Sequence, residues 1–167
     1  MAAAVSRSNL LGVFSIVKAI IQASGVATLN SKFASSSSSN HFYEYDPVVT
    51  SLKSVGYPYI VIETDLHDES VTFKEIRRYE FGVRISIRVQ YEARGSSSEP
   101  YSQDTINSYA HEIIEYINSN RYSIYQDYNL HVDTIDSIYS DIVMIHNEKI
   151  SERVITFNCS TEMDVVA

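Results

Sequence analysis

The chain has 167 residues, 44% of them hydrophobic, one cysteine, and a net charge of -8 from 13 Lys+Arg against 21 Asp+Glu. This excludes wholesale disorder, since a chain of this length and composition hides roughly 70% of the surface its unfolded form exposes. The single Cys159 excludes an intramolecular disulfide framework and a Cys-rich zinc module, and the acidic balance argues against a sequence-independent grip on nucleic acid, which needs a basic surface.

The first element is an apolar helix. Leu10, Leu11, Val13, Phe14, Ile16, Val17, Ile20 and Ile21 form it, Ser8 or Asn9 caps its start and Gly25 ends it. The rival reading is a signal peptide, but Lys18 interrupts the apolar core and the lone cysteine gives secretion no support. The run is too short for a membrane span of ~20 residues. It reads as a docking helix, with Leu10, Val13, Phe14, Val17, Ile20 and Ile21 as the contact residues. Its own domain is one seat, and an adjacent subunit or another partner protein is the sharper expectation. Five serines, Ser35 to Ser39, then form a linker that buries nothing. Residues 1–40 are therefore read as helix and tether, and residues 41–167 as the body.

In the body, Asp46-Pro47 opens a short helix or turn with Val48, Val49, Leu52 and Val55, broken by Gly56. Tyr57 to Glu63 reads as a strand entered through Pro58, and Thr64 to Lys74 as a polar loop or hairpin tip. The strongest signal is Tyr79 to Tyr91. Tyr79, Phe81, Val83, Ile85, Ile87, Val89 and Tyr91 alternate with polar residues, which predicts one buried face and one wet face, with a bulge at Gly82. After the loop Arg94 to Pro100, a helix capped by Ser102 or Asp104 carries Ile106, Ala110, Ile113, Ile114 and Ile117, and ends at Asn118-Ser119-Asn120. Three more strands are expected at Tyr122 to Tyr128, Ile138 to His146 and Arg153 to Cys159, the last two joined by a hairpin at Asn147-Glu148-Lys149. The fold class is α+β: a mostly antiparallel sheet packed against one amphipathic helix, with an extra N-terminal helix on a linker.

Chemistry is sparse. Asp65, His67, Asp68 and Glu69 are metal-ligand types, but no matching spacing completes a site, and a solvated loop is the better account. His111-Glu112 begins a zinc-protease motif that fails where Glu115 replaces the second histidine. Cys159 falls on the inward side of its strand, as a structural thiol does. There is no Gly-rich phosphate loop and no nucleophile elbow. No enzyme activity, cofactor or metal is expected. Tyr101, Tyr109, Tyr116, Tyr122, Tyr125, Tyr128 and Tyr139 suit either interfaces or the edges of a small core.

Five pieces of the body carry a resemblance. They are Tyr57 to Ile62, the Arg78-Tyr79-Glu80-Phe81 opening with the alternating strand after it, the helix Thr105 to Ile117, and the strand Arg153 to Phe157. In order and spacing the stretch from Asp46 to Cys159 resembles the tail terminator, or tail-completion, proteins of long-tailed bacteriophages. The resemblance implies a virion structural protein with no catalytic residues. It would form a ring, usually a hexamer, at the head-proximal end of the tail tube, halt tube polymerisation and join the tail to the head connector. The implied partners are further copies of the chain, the tail tube protein, head connector or neck proteins, and phage DNA passing through the channel without specific binding. No membrane is involved; assembly would occur in the host cytoplasm and the product would sit at the tail-neck junction of the virion. The N-terminal helix and linker exceed the family's minimal body. The competing readings are another neck adaptor or head-completion protein, a small metal- or ligand-binding domain using Asp65, His67 and Asp68, and a secreted protein. An acidic channel wall that keeps DNA from sticking is the use the resemblance offers for the net charge.

Overall fold

The computed structural model describes residues 12–34, 41–45, 47, 56–73, 76–92, 101–145 and 147–164, with only the backbone of 66–73, 139–141, 163 and 164. Three α-helices are described, α1 (Val13–Ala23), α2 (Val26–Leu29) and α3 (Ser102–Tyr128), with a 3-10 turn at Ser31–Phe33. The strands are β1 (Phe42–Tyr43), β2 (Tyr59–Phe73), β3 (Ile76–Gln90), β4 (His131–Ile145) and β5 (Glu148–Asp164). They form one sheet in the order β1-β2-β3-β5-β4, antiparallel except where β1 joins β2. The fold is α+β, with a mostly antiparallel sheet as expected.

Strand β3 is the centre. Each of its residues from Ile76 to Gln90 pairs with β5, and all but a few pair with β2 on the other side. Its odd-numbered side chains from Tyr79 to Val89 are all buried. The helices cover this face: Ile106, Tyr109, Ala110, Ile113, Ile117 and Ile124 of α3 join Ile60, Ile62, Ile85, Ile87, Ile155 and Phe157 in one core. The opposite face is not uniformly wet, because Ser86 and Arg88 are buried as well. Tyr43 and Tyr57 stand against Tyr59 at that end, with ring centroids 5.7 and 5.4 Å from it.

The apolar face of α1 is seated on the chain's own sheet. Val13, Val17, Ile20 and Ile21 are at most 3% exposed and belong to the same core as Ile60, Ile62 and Ile87, and Phe14 packs against it. Leu10 lies outside the described residues. Of the two seats expected for this helix it takes its own domain and shares one core with the body, so the division at residue 40 does not separate two cores. The physical reason is that β2 and β3 present more apolar area than α3 alone spans. The Ser35 to Ser39 linker and the Val48 to Val55 segment lie outside the described residues. Gly25 is not a left-handed helix stop: α1 ends at Ala23, and a Cβ at Gly25 would run into the Glu112 carboxylate of α3.

Three expected elements are corrected. Thr64 to Phe73 continues β2 instead of looping, because β3 offers it a partner as far as Ile76. The irregularity expected at Gly82 falls on β2, between Leu66 and Asp68, while Gly82 pairs in register with Asn158. Tyr122 to Tyr128 is helix, not strand. Helix α3 passes a kink at Asn120 (φ -118°, ψ 18°) and ends at Asn129, whose φ of 52° is the left-handed conformation asparagine tolerates. Its start is also different: Tyr101 is the N-cap residue, and the Ser102 hydroxyl donates to the Glu92 carbonyl at 3.1 Å instead of capping the helix.

Because α1 and the sheet share one core, deleting residues 1–33 should abolish cooperative unfolding of the remainder rather than leave a folded body. Urea denaturation followed by tyrosine fluorescence measures this, and an unchanged transition would contradict the shared core. Ile21→Ala, which truncates a fully buried side chain, should cost about 2–5 kcal/mol in the same experiment.

Candidate assembly surface

The face of the sheet away from the helices is arranged in rows set by register. Tyr59, Arg88 and Glu152 lie side by side across β2, β3 and β5. The Arg88 guanidinium donates from Nε and Nη2 to Glu152 Oε1, both at 3.2 Å, and from Nη1 to the Tyr59 hydroxyl at 3.2 Å. Both charged side chains are nearly sealed, at 11% and 8% exposure. A buried, hydrogen-bonded pair of this kind contributes little against an apolar replacement, but removing one partner strands the other charge. Nearby, the Tyr57 hydroxyl donates to Glu148 Oε2 at 3.0 Å; burial first, then this hydrogen bond, pushes its pKa well above the ordinary tyrosine value.

Farther along, the same face opens into a shallow depression of about 390 Å³. Glu63, Asp65, Arg84, Asp136, Thr156 and Asn158 line it, and Gly82 leaves its floor without a side chain. Arg84 Nε stands 3.6 Å from Glu63 Oε2 in an exposed pair, worth no more than about 1 kcal/mol. The lining is thus more acidic than basic. Asp65 reaches it from strand rather than from a loop; the side chains of His67, Asp68 and Glu69 lie outside the described residues. Among the described residues no three His, Cys, Asp or Glu side chains come together to hold a metal ion, and no helix is long and apolar enough to cross a membrane.

The sheet ends in two different edges. On one side β1 covers β2 only at Ile60 and Val61. On the other, β4 runs for 15 residues with β5 on its inner side and no strand on its outer side among the described residues. An uncovered strand of this length exposes a row of backbone donors and acceptors. Beside that edge Ile138, Ile142 and Met144 are 57%, 43% and 59% exposed. Sequence reasoning placed a strand at Ile138 but could not see that it is the outermost one, since strand order is a property of pairing. The tyrosines divide between the two roles expected of them. Tyr109 is buried and accepts from Asn30 Nδ2 at 3.0 Å, Tyr125 stacks on His131 at 4.1 Å, and Tyr122 is exposed.

Cys159 is buried on the core face of β5, and burial, with the Asp133 charge adding to it, pushes its thiol up to about 12. The chain matches no protein-family model and no curated protein sequence.

Two measurements follow. Arg88→Ala should cost about 3–5 kcal/mol, whereas the double change Arg88→Met with Glu152→Leu should recover most of the loss; equal destabilisation by both would show that the pair itself stabilises the fold. At pH 8 the Cys159 thiol, protonated and enclosed, should react with a maleimide only as fast as the protein opens, and fast labelling of the native chain would contradict its burial.

Proposed function

We propose that the chain is a structural subunit that assembles with further copies of itself into a ring, of the kind that ends a phage tail tube and joins it to the head. The observation that carries this reading is the β4 edge: long, without a strand on its outer side among the described residues, and flanked by exposed Ile138, Ile142 and Met144. Soluble chains ordinarily blunt such an edge with charged side chains, bulges, proline or a covering element, and β4 has Asp133, Asp136 and Asp141 and two register shifts, between Val132 and Ile135 and between Ser140 and Val143. Between His131 and Ile145 there is no lysine, arginine or proline. Ile138, Ile142 and Met144 nevertheless stay exposed beside it, and a subunit that meets its neighbours through this edge covers them on assembly.

Ring closure requires a heterologous contact, in which one surface meets a different surface of the next copy. A sheet with two unlike edges supplies those two surfaces. The acidic lining of Glu63, Asp65 and Asp136 gives the open sheet face a use if it lines the channel, since like charge keeps a DNA backbone from adhering. The sequence resemblance of the stretch from Asp46 to Cys159 is what favours a tail terminator over another neck adaptor. In that assignment the tail tube protein and the head connector are the flanking partners, and the protein resides at the tail-neck junction of the virion.

Replacing Ile138 and Met144 together by aspartate should reduce self-association at least tenfold without lowering the unfolding midpoint, because both side chains are exposed. Sedimentation velocity reads the first quantity and thermal denaturation the second. Unimpaired assembly of the double variant would remove β4 as the contact surface. Antibody labelling of particles should mark only the neck; labelling along the tail shaft or on the head shell would contradict the terminal position.

A further inference from the structure

Resting on the ring reading, we infer that β4 meets the next copy through its side chains and not by adding a strand, and that Arg121 of α3 helps to keep its backbone from pairing. The first observation is the carbonyl that Arg121 holds. This residue follows the kink at Asn120. Its Nη1 donates to the Val132 carbonyl of β4 at 2.9 Å, and its Nη2 donates to Asn118 Oδ1 at 2.8 Å. The start of the strand is thereby tied to the helix, and one of its backbone acceptors is satisfied within the chain. A little farther on, Arg153 Nε donates to Ser137 Oγ at 2.8 Å.

The second observation is the register. Pairing of β4 with β5 runs unbroken only from Ile135 to Ser140. Before that run Asp133 and Thr134 together oppose Asn158, and after it Asp141 and Ile142 together oppose Ser151. Two residues against one make a bulge, which bends the strand and increases its twist, and bulges are a device that turns an edge away from further pairing. Strand β3, inside the sheet, pairs with β5 without a break from Ile76 to Gln90. The run left regular on β4 is thus short, bent at both ends, and carries the exposed charge of Asp136.

The apolar side chains suit the other mode of contact. Ile138 pairs with Val154, which lies on the open face with Ser86. Met144 pairs with Lys149, which stands on the opposite face of β5, and Lys149 Nζ lies 5.9 Å from the Tyr91 ring centroid. The second bulge has turned the strand over between them. Ile138 and Met144 therefore flank the edge from both faces of the sheet, each more than half exposed. A neighbour that only paired backbones would leave them wet, whereas a surface that receives them buries apolar area. Blunting the backbone also guards the assembly against open-ended sheet growth.

The test compares variants of the full chain with the native one. Ile138→Ala with Met144→Ala keeps the backbone of β4 and removes the exposed apolar groups, so it should weaken self-association at least tenfold in sedimentation velocity. Assembly as tight as native would point to backbone pairing and overturn the inference while the ring stands; a native chain that is monomeric at every concentration overturns both. Arg121→Ala frees the Val132 carbonyl and should raise thioflavin T-positive filaments at least tenfold on prolonged incubation. Arg121→Lys, which keeps a donor in reach, should stay near the native level. Ile21→Ala, destabilised in the core beneath α1, controls for instability alone. If Arg121→Ala forms no more filament than the native chain or than Ile21→Ala, Arg121 is an ordinary tie between helix and strand, and its role as a block is overturned.

Discussion

Strand β3 is the member on which the rest of the structure depends. It is hydrogen-bonded to β5 along its whole length and to β2 along almost all of it, and its alternation decides what each face of the sheet must do. The odd face is a continuous apolar strip from Tyr79 to Val89. Helix α3 lies on this strip and α1 lies beside it over β2, and together they close one core. Burial of one large aliphatic side chain contributes about 1.5–3 kcal/mol, so the side chains α1 adds to this core are a substantial part of the stability of a chain this size. The even face is closed over only at its Tyr59 end, where Arg88 and Glu152 are buried as a pair, and is open and polar beyond it, which leaves an acidic trough in place of a second core.

The same pairing explains the edges. With β3 inside, β5 beside it and β4 outermost, the hairpin β4-β5 must expose one long strand, because no later element returns to cover it within the described residues. On the far side β2 is left with only a two-residue partner. A closed barrel would remove both edges; among the described residues this sheet keeps them, one formed by a two-residue strand and the other by a strand of 15 residues.

The legible parts of the sequence were those in which local pattern and tertiary environment agree. The alternation of Tyr79 to Val89 and the spacing of Ile106, Ala110, Ile113 and Ile117 each point to one face, and each face is where it was expected. Thr64 to Phe73 was not legible because acidic and polar residues have little strand preference of their own; pairing with β3 overrides it. Tyr122 to Tyr128 misled for the opposite reason. Its aromatic and β-branched residues favour strand, yet Ile124 falls seven positions after Ile117, on the same helical face, and both are buried. Amphipathicity announced that α1 docks but carried no information on what covers it. The Arg88–Glu152 pair, separated by 64 residues, meets only through the β3-β5 register. That register is a consequence of the whole sheet.

In the proposed ring the two unlike edges are met by neighbouring copies. The most direct measurement is native mass spectrometry of the purified full-length chain over a range of concentrations. A ring should give one closed species of fixed stoichiometry, greater than two, with little between it and the monomer. A dimer that grows no further would contradict it, because a self-limited pair is what an isologous edge makes; a chain that stays monomeric at every concentration would contradict it as well.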